Sequence, residues 1–264
     1  MQKLILVIIC FNFNEASFAQ VAPINSDRPG KTNTASITPH KWLQIEMGFQ
    51  KETEKYKPFT YKDIYFETPS LLLKYGLSDK IELRLISAFA YQSLGAVNIT
   101  ETGRGLSNTQ IGGKFNLIKE YGILPKTSII AHYRINAINS YRVGKDTING
   151  GNMSLAMLNV VSNNFLVGYN IGVEKFTWQS DARYFYSLSP KFNISEKWQA
   201  FVEIYGNLWK GRNAQTTIDA GVSYYINYDF KVDASAGTRI NKNTNRKFYS
   251  VGGSFRFKTS NKNL

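Results

Sequence analysis

From Leu43 onward the chain alternates apolar and polar side chains at every second position. Leu43, Ile45, Met47 and Phe49 share one parity while Gln44, Glu46 and Gly48 take the other. This is the two-residue period of a strand whose faces meet different surroundings. A helix would mix these positions within a turn. The pattern recurs where Ile81, Leu83, Leu85, Phe89 and Tyr91 oppose Glu82 and Arg84, and where Ile111, Phe115 and Leu117 oppose Gln110, Lys114 and Asn116. Ile129, Ala131, Tyr133, Ile135 and Ala137 oppose His132, Arg134 and Asn136, and Phe165 to Val173 oppose Asn170 and Glu174. Three further repeats set Trp198, Ala200, Val202, Ile204 and Leu208 against Gln199, Glu203 and Asn207, then Ile218 to Ile226 against Asp219, Ser223 and Asn227, and finally Tyr249, Val251, Phe255 and Phe257 against Ser250, Ser254 and Arg256.

Weaker segments fall at Leu71 to Tyr75, Leu155 to Val161, Ala182 to Leu188 and Val232 to Arg239. The total is about twelve strands, an even number, each near the length that crosses a bilayer at a tilt. Short turns at Leu77 to Lys80, Glu120 to Pro125, Ser162 to Asn164, Asn193 to Glu196 and Asn227 to Asp229 alternate with connections at Lys51 to Lys62, Gln92 to Ser107, Asn139 to Asn152, Trp178 to Asp181, Lys210 to Ala214 and Asn241 to Lys247. Short periplasmic turns facing longer external loops predict an all-β fold, a transmembrane antiparallel β-barrel with both ends of the chain in the periplasm. A soluble sandwich also alternates. Strand length, the turn alternation and aromatics near strand ends at Trp42, Tyr75, Tyr91, Trp178, Trp198, Trp209 and Tyr228 favour the barrel. At Pro69 the apolar parity shifts from Ile64 and Phe66 to Leu71 and Leu73, which predicts a β-bulge.

The N-terminus supplies a destination. Lys3, the apolar stretch Leu4 to Phe13 and the exit Ser17-Phe18-Ala19 have the form of a secretory signal peptide spanning residues 1–19. Residues 20–40 are then expected as a periplasmic segment, 41–258 as the barrel and 259–264 as a tail. The single cysteine, Cys10, leaves with the signal, and Ile9 before it argues against lipidation. The net charge of +13 would suggest nucleic acid in a cytosolic protein. For an exported chain whose basic residues, among them Lys51, Lys55, Lys57, Arg142, Lys145, Lys210, Arg212, Arg246 and Lys247, fall between strands, nucleic acid is not expected. Outer-membrane lipid phosphates, those of lipopolysaccharide among them, or acidic solutes are the compatible anionic partners instead.

Several motifs resemble a known family. Ser26-Asp27-Arg28-Pro29-Gly30, Gln44 to Phe49, Pro69 to Leu77, Glu82-Leu83-Arg84-Leu85 and Gly105-Leu106-Ser107 leading to Ile111-Gly112-Gly113-Lys114 are similar to those of the MetA-pathway of phenol degradation family. The resemblance implies a barrel of the Gram-negative outer membrane associated with uptake or efflux, without fixing a solute. The chain departs from many such barrels by running past Phe257 to Leu264.

Catalytic chemistry finds little footing. Only His40 and His132 are present, with no hydrolase, phosphate-loop or metal-ligand motif, so no enzyme, cofactor or metal site is expected. The polar parity is the candidate site: Glu46, Glu82, Arg84, Lys114, His132, Arg134, Glu174, Arg183, Glu203, Asp219, Lys231, Asp233, Arg239 and Arg256. Charges face lipid only at high cost, so these side chains are expected to line the lumen. Either they set the selectivity of an aqueous path for a small solute, or they pair across the lumen and leave a non-conducting structural barrel that presents basic loops. Twelve strands lie between barrels filled by side chains and barrels with open channels, and both readings stand.

Overall fold

The computed structural model describes residues 22–56, 61–96, 99–135, 149–177, 180–240 and 244–259. The expected signal peptide lies outside them, as do Lys57, Arg142, Lys145 and Trp178. Among the described residues there are twelve strands. The first six are β1 (Trp42–Tyr56), β2 (Tyr61–Gly76), β3 (Ile81–Ala96), β4 (Ile99–Ile118), β5 (Lys126–Arg134) and β6 (Gly150–Ser162). The rest are β7 (Phe165–Phe176), β8 (Arg183–Asn193), β9 (Trp198–Leu208), β10 (Gln215–Asn227), β11 (Phe230–Ile240) and β12 (Thr244–Lys258). Each pairs antiparallel with its neighbours in sequence, and β1 pairs with β12 from Trp42↔Lys258 to Tyr56↔Thr244, so the sheet closes without a free edge. Closure satisfies every strand's hydrogen bonds within the protein, which lipid cannot do.

The parity sorts the two surfaces as the alternation predicts. Tyr249 is 64% exposed and Ile171 54%, while Glu82 and Lys114 are at most 1% exposed. A water-soluble fold would reverse this arrangement. The wall is greasy outside and charged within. Pro69 does interrupt the ladder: the register shifts between Gly48 and Gln50 on one side and between Glu67 and Ser70 on the other. A proline has no N–H to donate there, and the extra residue re-aims the two halves of β2 so that both keep their polar positions inward.

The five expected short turns all lie at one rim of the barrel, shared with Lys41 and Thr259, where Thr259 N–H donates to Lys41 O at 2.8 Å. At the other rim two expected connections are largely strand. β1 and β2 stay paired to Tyr56↔Tyr61, and β3 and β4 to Ala96↔Ile99, so the segments Lys51 to Lys62 and Gln92 to Ser107 prolong the wall. Past the lipid both faces are wet, so the ladder continues after the hydrophobic alternation that announces it has gone.

The larger departure concerns the segment before β1. Expected in the periplasm, residues Ile24 to Thr38 bond to inward side chains of β1, β3, β4, β5, β7, β8, β9 and β11. Only a segment inside the cylinder can reach so many walls at once. It enters and leaves at the short-turn rim, where Ile24 N–H donates to Tyr228 O at 2.7 Å and Lys41 N–H donates to Gly76 O at 2.8 Å.

Candidate functional site

The inner segment contains no regular structure, yet it is enclosed: Ala35 is 0% exposed, Ile24 1% and Thr32 2%. An irregular backbone removed from water needs partners for its N–H and C=O groups. The wall provides them by charge type. Glu46 accepts from Asp27 and Arg28 N–H at 3.1 Å, Glu203 from Lys31 and Thr32 N–H at 2.7 Å, and Glu82 from the N–H of Thr38 at 2.7 Å and its hydroxyl at 2.8 Å. Carbonyls meet donors in the same way. Lys114 Nζ donates to Thr34 O and Ser36 O, Ser128 Oγ to Ala35 O at 2.7 Å, and Lys231 Nζ to Arg28 O at 3.0 Å. Asn170 does both, accepting from Asn33 N–H and donating to Asn33 O.

Two charged side chains of the segment form ion pairs with the wall. Arg28 pairs with Asp233 at 2.9 Å and bonds Ser250 at 3.1 Å. Its guanidinium occupies space opened by the facing glycines Gly48 and Gly252, where a Cβ would come to 2.0 Å and 2.5 Å of it. Asp27 sits at the centre of a charge cluster, 2.8 Å from Arg84, 3.6 Å from Lys74 and 3.8 Å from Lys114. Glu46 and Glu82 close the cluster, with Lys74–Glu46 at 2.5 Å and Arg84–Glu82 at 2.8 Å. The wall alone contributes three cations and two anions, and Asp27 supplies the missing negative charge. Burial opposes ionisation of Asp27, but Lys114, Lys74 and Arg84 outweigh it and hold the carboxyl well below the usual carboxylate range.

The fourteen residues expected on the lumen separate into groups. Glu46, Glu82, Arg84, Lys114, Glu203, Lys231 and Asp233 contact the inner segment directly. His132 stands behind Arg84, accepting from its Nε at 3.0 Å, and fits because position 112 is glycine. Asp219 faces Glu203 across the β9–β10 ladder with neither carboxylate oxygen hydrogen-bonded. Arg256 lies at the short-turn rim, pairing with Asp229 and donating to Ala22 O. The remaining four stand towards the opposite rim. Arg183 pairs with Glu174, Arg239 pairs with Glu54, and Arg134 donates to Asn108 and lies 4.5 Å from the Phe176 ring. Glu52 joins this group by pairing with Arg246.

Asp27, Arg28, Lys74, Asn170, Ser128 and Glu54 were not among the expected site residues. For Lys74 a signal existed, because it shares a parity with Ser70 and Leu72 once the bulge is counted. Among the described residues no group of three potential ligands could hold a metal ion.

No curated protein matches the chain by sequence. Solved structures share its fold at low identity. An outer membrane channel from Pseudomonas putida F1 superposes with a TM-score of 0.62 at 10% identity, covering 84% of this chain and 98% of the channel. The translocator domain of the autotransporter NalP from Neisseria meningitidis gives 0.55 at 13% identity, covering 81% and 88%. The KdgM porin, solved in complex with disordered oligogalacturonate, gives 0.50 at 12% identity, covering 80% and 99%. These structures agree on an outer-membrane type of β-barrel, and the family profile matches across residues 26–257, a span that starts at the inner segment and ends in the last strand. The chain belongs to the MetA-pathway of phenol degradation family.

Proposed function

We propose that this protein is an outer-membrane channel for a small solute, closed at its periplasmic rim by residues 24–38. The carrying observation is chemical. The wall carboxylates that bind the segment's N–H groups, and the wall lysines that bind its carbonyls, are hydrophilic groups able to line a wet path once the segment is displaced. Passage then requires the segment to leave its seat, with the Arg183–Glu174, Arg239–Glu54 and Arg246–Glu52 pairs lining the outer half of the route. The channels and porins that share the fold support this reading. Solute flux into liposomes carrying the refolded mature chain tests it. The rate is expected to exceed that of empty liposomes for at least one class of small solute and to rise in Asp27→Asn, whose segment is less firmly held. Absence of flux for every solute in both proteins would contradict it.

The occlusion itself favours a second reading, a non-conducting barrel that presents exposed Lys210 and Arg212 to lipopolysaccharide. Salt-sensitive binding to lipopolysaccharide, lost in Lys210→Ala/Arg212→Ala, together with absent flux would select it.

A further inference from the structure

A cavity of about 90 Å³ lies between the inner segment and the wall near the short-turn rim. Its polar lining includes Lys191 from β8, Gln199 from β9, Tyr225 from β10 and Lys231 from β11, and the inner segment closes it with Asn25–Ser26 and Thr32–Thr34. The two lysines differ from the other buried lysines of the lumen. Lys74 faces Glu46 and Asp27, and Lys114 faces Glu82 and Asp27. Lys191 and Lys231 have no carboxylate at ion-pair distance among the described residues. Lys231 is 2% exposed and donates to Arg28 O at 3.0 Å and Ser223 Oγ at 3.5 Å. Its Nζ also stands 5.7 Å from the Tyr225 ring centre. Lys191 makes no hydrogen bond to the inner segment among the described contacts.

Two ammonium groups on one enclosed space with no carboxylate in direct contact are costly, because a buried charge is retained only when it is closely paired. The empty space they share is polar on their side and large enough for a few heavy atoms. The geometry points to a binding site for a small oxyanion of the phosphate or carboxylate type, held between Lys191 and Lys231 with Tyr225 and Gln199 alongside. Because Lys231 also holds the Arg28 carbonyl, the bound anion fastens the inner segment to β8 and β11. Occupancy thereby stabilises the seated segment, through a site distinct from the Asp27 cluster. The site does not depend on whether the barrel conducts, and its test reads binding alone.

The test is calorimetric titration of the refolded mature chain in detergent micelles at neutral pH with inorganic phosphate, and in a separate arm with acetate, at ionic strength fixed with chloride. Saturable one-site binding of phosphate, of acetate or of both is expected, the arms telling which oxyanion the site prefers. Lys191→Gln is expected to weaken binding by about tenfold or more, the worth of one charge-assisted hydrogen bond, with Lys191→Arg close to the parent. Lys231→Gln should do the same. If that variant misfolds, as judged by loss of heat-modifiable migration, Lys191→Gln carries the test, since Lys191 holds no part of the inner segment. Absence of saturable binding in both arms, or undiminished binding in Lys191→Gln, would overturn the site.

Discussion

At the scale of single residues the lumen is organised around Asp27. Six charges alternate in sign within a few ångströms, and withdrawing one partner leaves a buried charge uncompensated, at a cost of about 3–5 kcal/mol. Asp27→Asn is therefore expected to loosen the inner segment by an amount of that order while leaving the β1–β12 closure intact. Limited proteolysis of the N-terminal segment in the folded barrel reads this directly, with faster cleavage in the variant. The pH dependence has a definite sign. A carboxyl held below its ordinary value stabilises docking fully above pH 3.8, the value for an unperturbed Asp, and that stabilisation is lost as pH falls through the depressed value in the folded state. Protease resistance of the segment should be flat from neutral pH down to about pH 5 and decline only in stronger acid, where Asp27 takes up its proton.

At the scale of elements, strands and inner segment differ in how plainly the sequence announces them. Strands such as β9 and β12 face lipid on one side and the lumen on the other, so Val202 against Glu203, or Val251 against Ser250, states both parity and orientation. The same strands lose their signature where they rise past the membrane, as Ser93, Thr100 and Thr102 show in the β3–β4 extension, and such stretches read as loops. The inner segment has no period at all. Its run Ser26 to Ser36 is rich in short polar residues, the composition of an exposed linker. The wall charges hint at its position only once the bulge at Pro69 places Lys74 inward, when Lys74, Arg84 and Lys114 outnumber Glu46 and Glu82 near the short-turn rim. A charge count over the polar parity can raise that question but cannot say that Asp27 answers it, since the answer requires the segment to fold back inside. The lipid-facing parity makes its own prediction. Val202→Arg, at the middle of β9, is expected to cost about 2–4 kcal/mol when refolding into phospholipid vesicles is followed by denaturant titration, because the guanidinium would face hydrocarbon. A cost near zero would mean that this face does not meet lipid.

For the whole molecule, the barrel and its inner segment solve different problems with the same strands. The outer face dissolves the protein in a bilayer, closure of β1 on β12 removes the sheet edge, and the inner face provides donors and acceptors for a backbone that has none of its own. A cylinder with so polar an interior, stopped at one rim by a segment that enters and leaves through that same rim, can open without unfolding a strand. In the proposed channel the seated segment closes the lumen. Thr32 Oγ1 donates to Ser187 Oγ at 2.8 Å, so Thr32→Cys/Ser187→Cys in a chain that starts after Cys10, its single native cysteine, offers a reversible lock between segment and wall. Planar-bilayer conductance of this variant, measured oxidised and then after reduction, is the most direct test. A silent barrel is expected when oxidised and channel openings when reduced, whereas equal conductance in the two states would mean that the seated segment does not close the lumen.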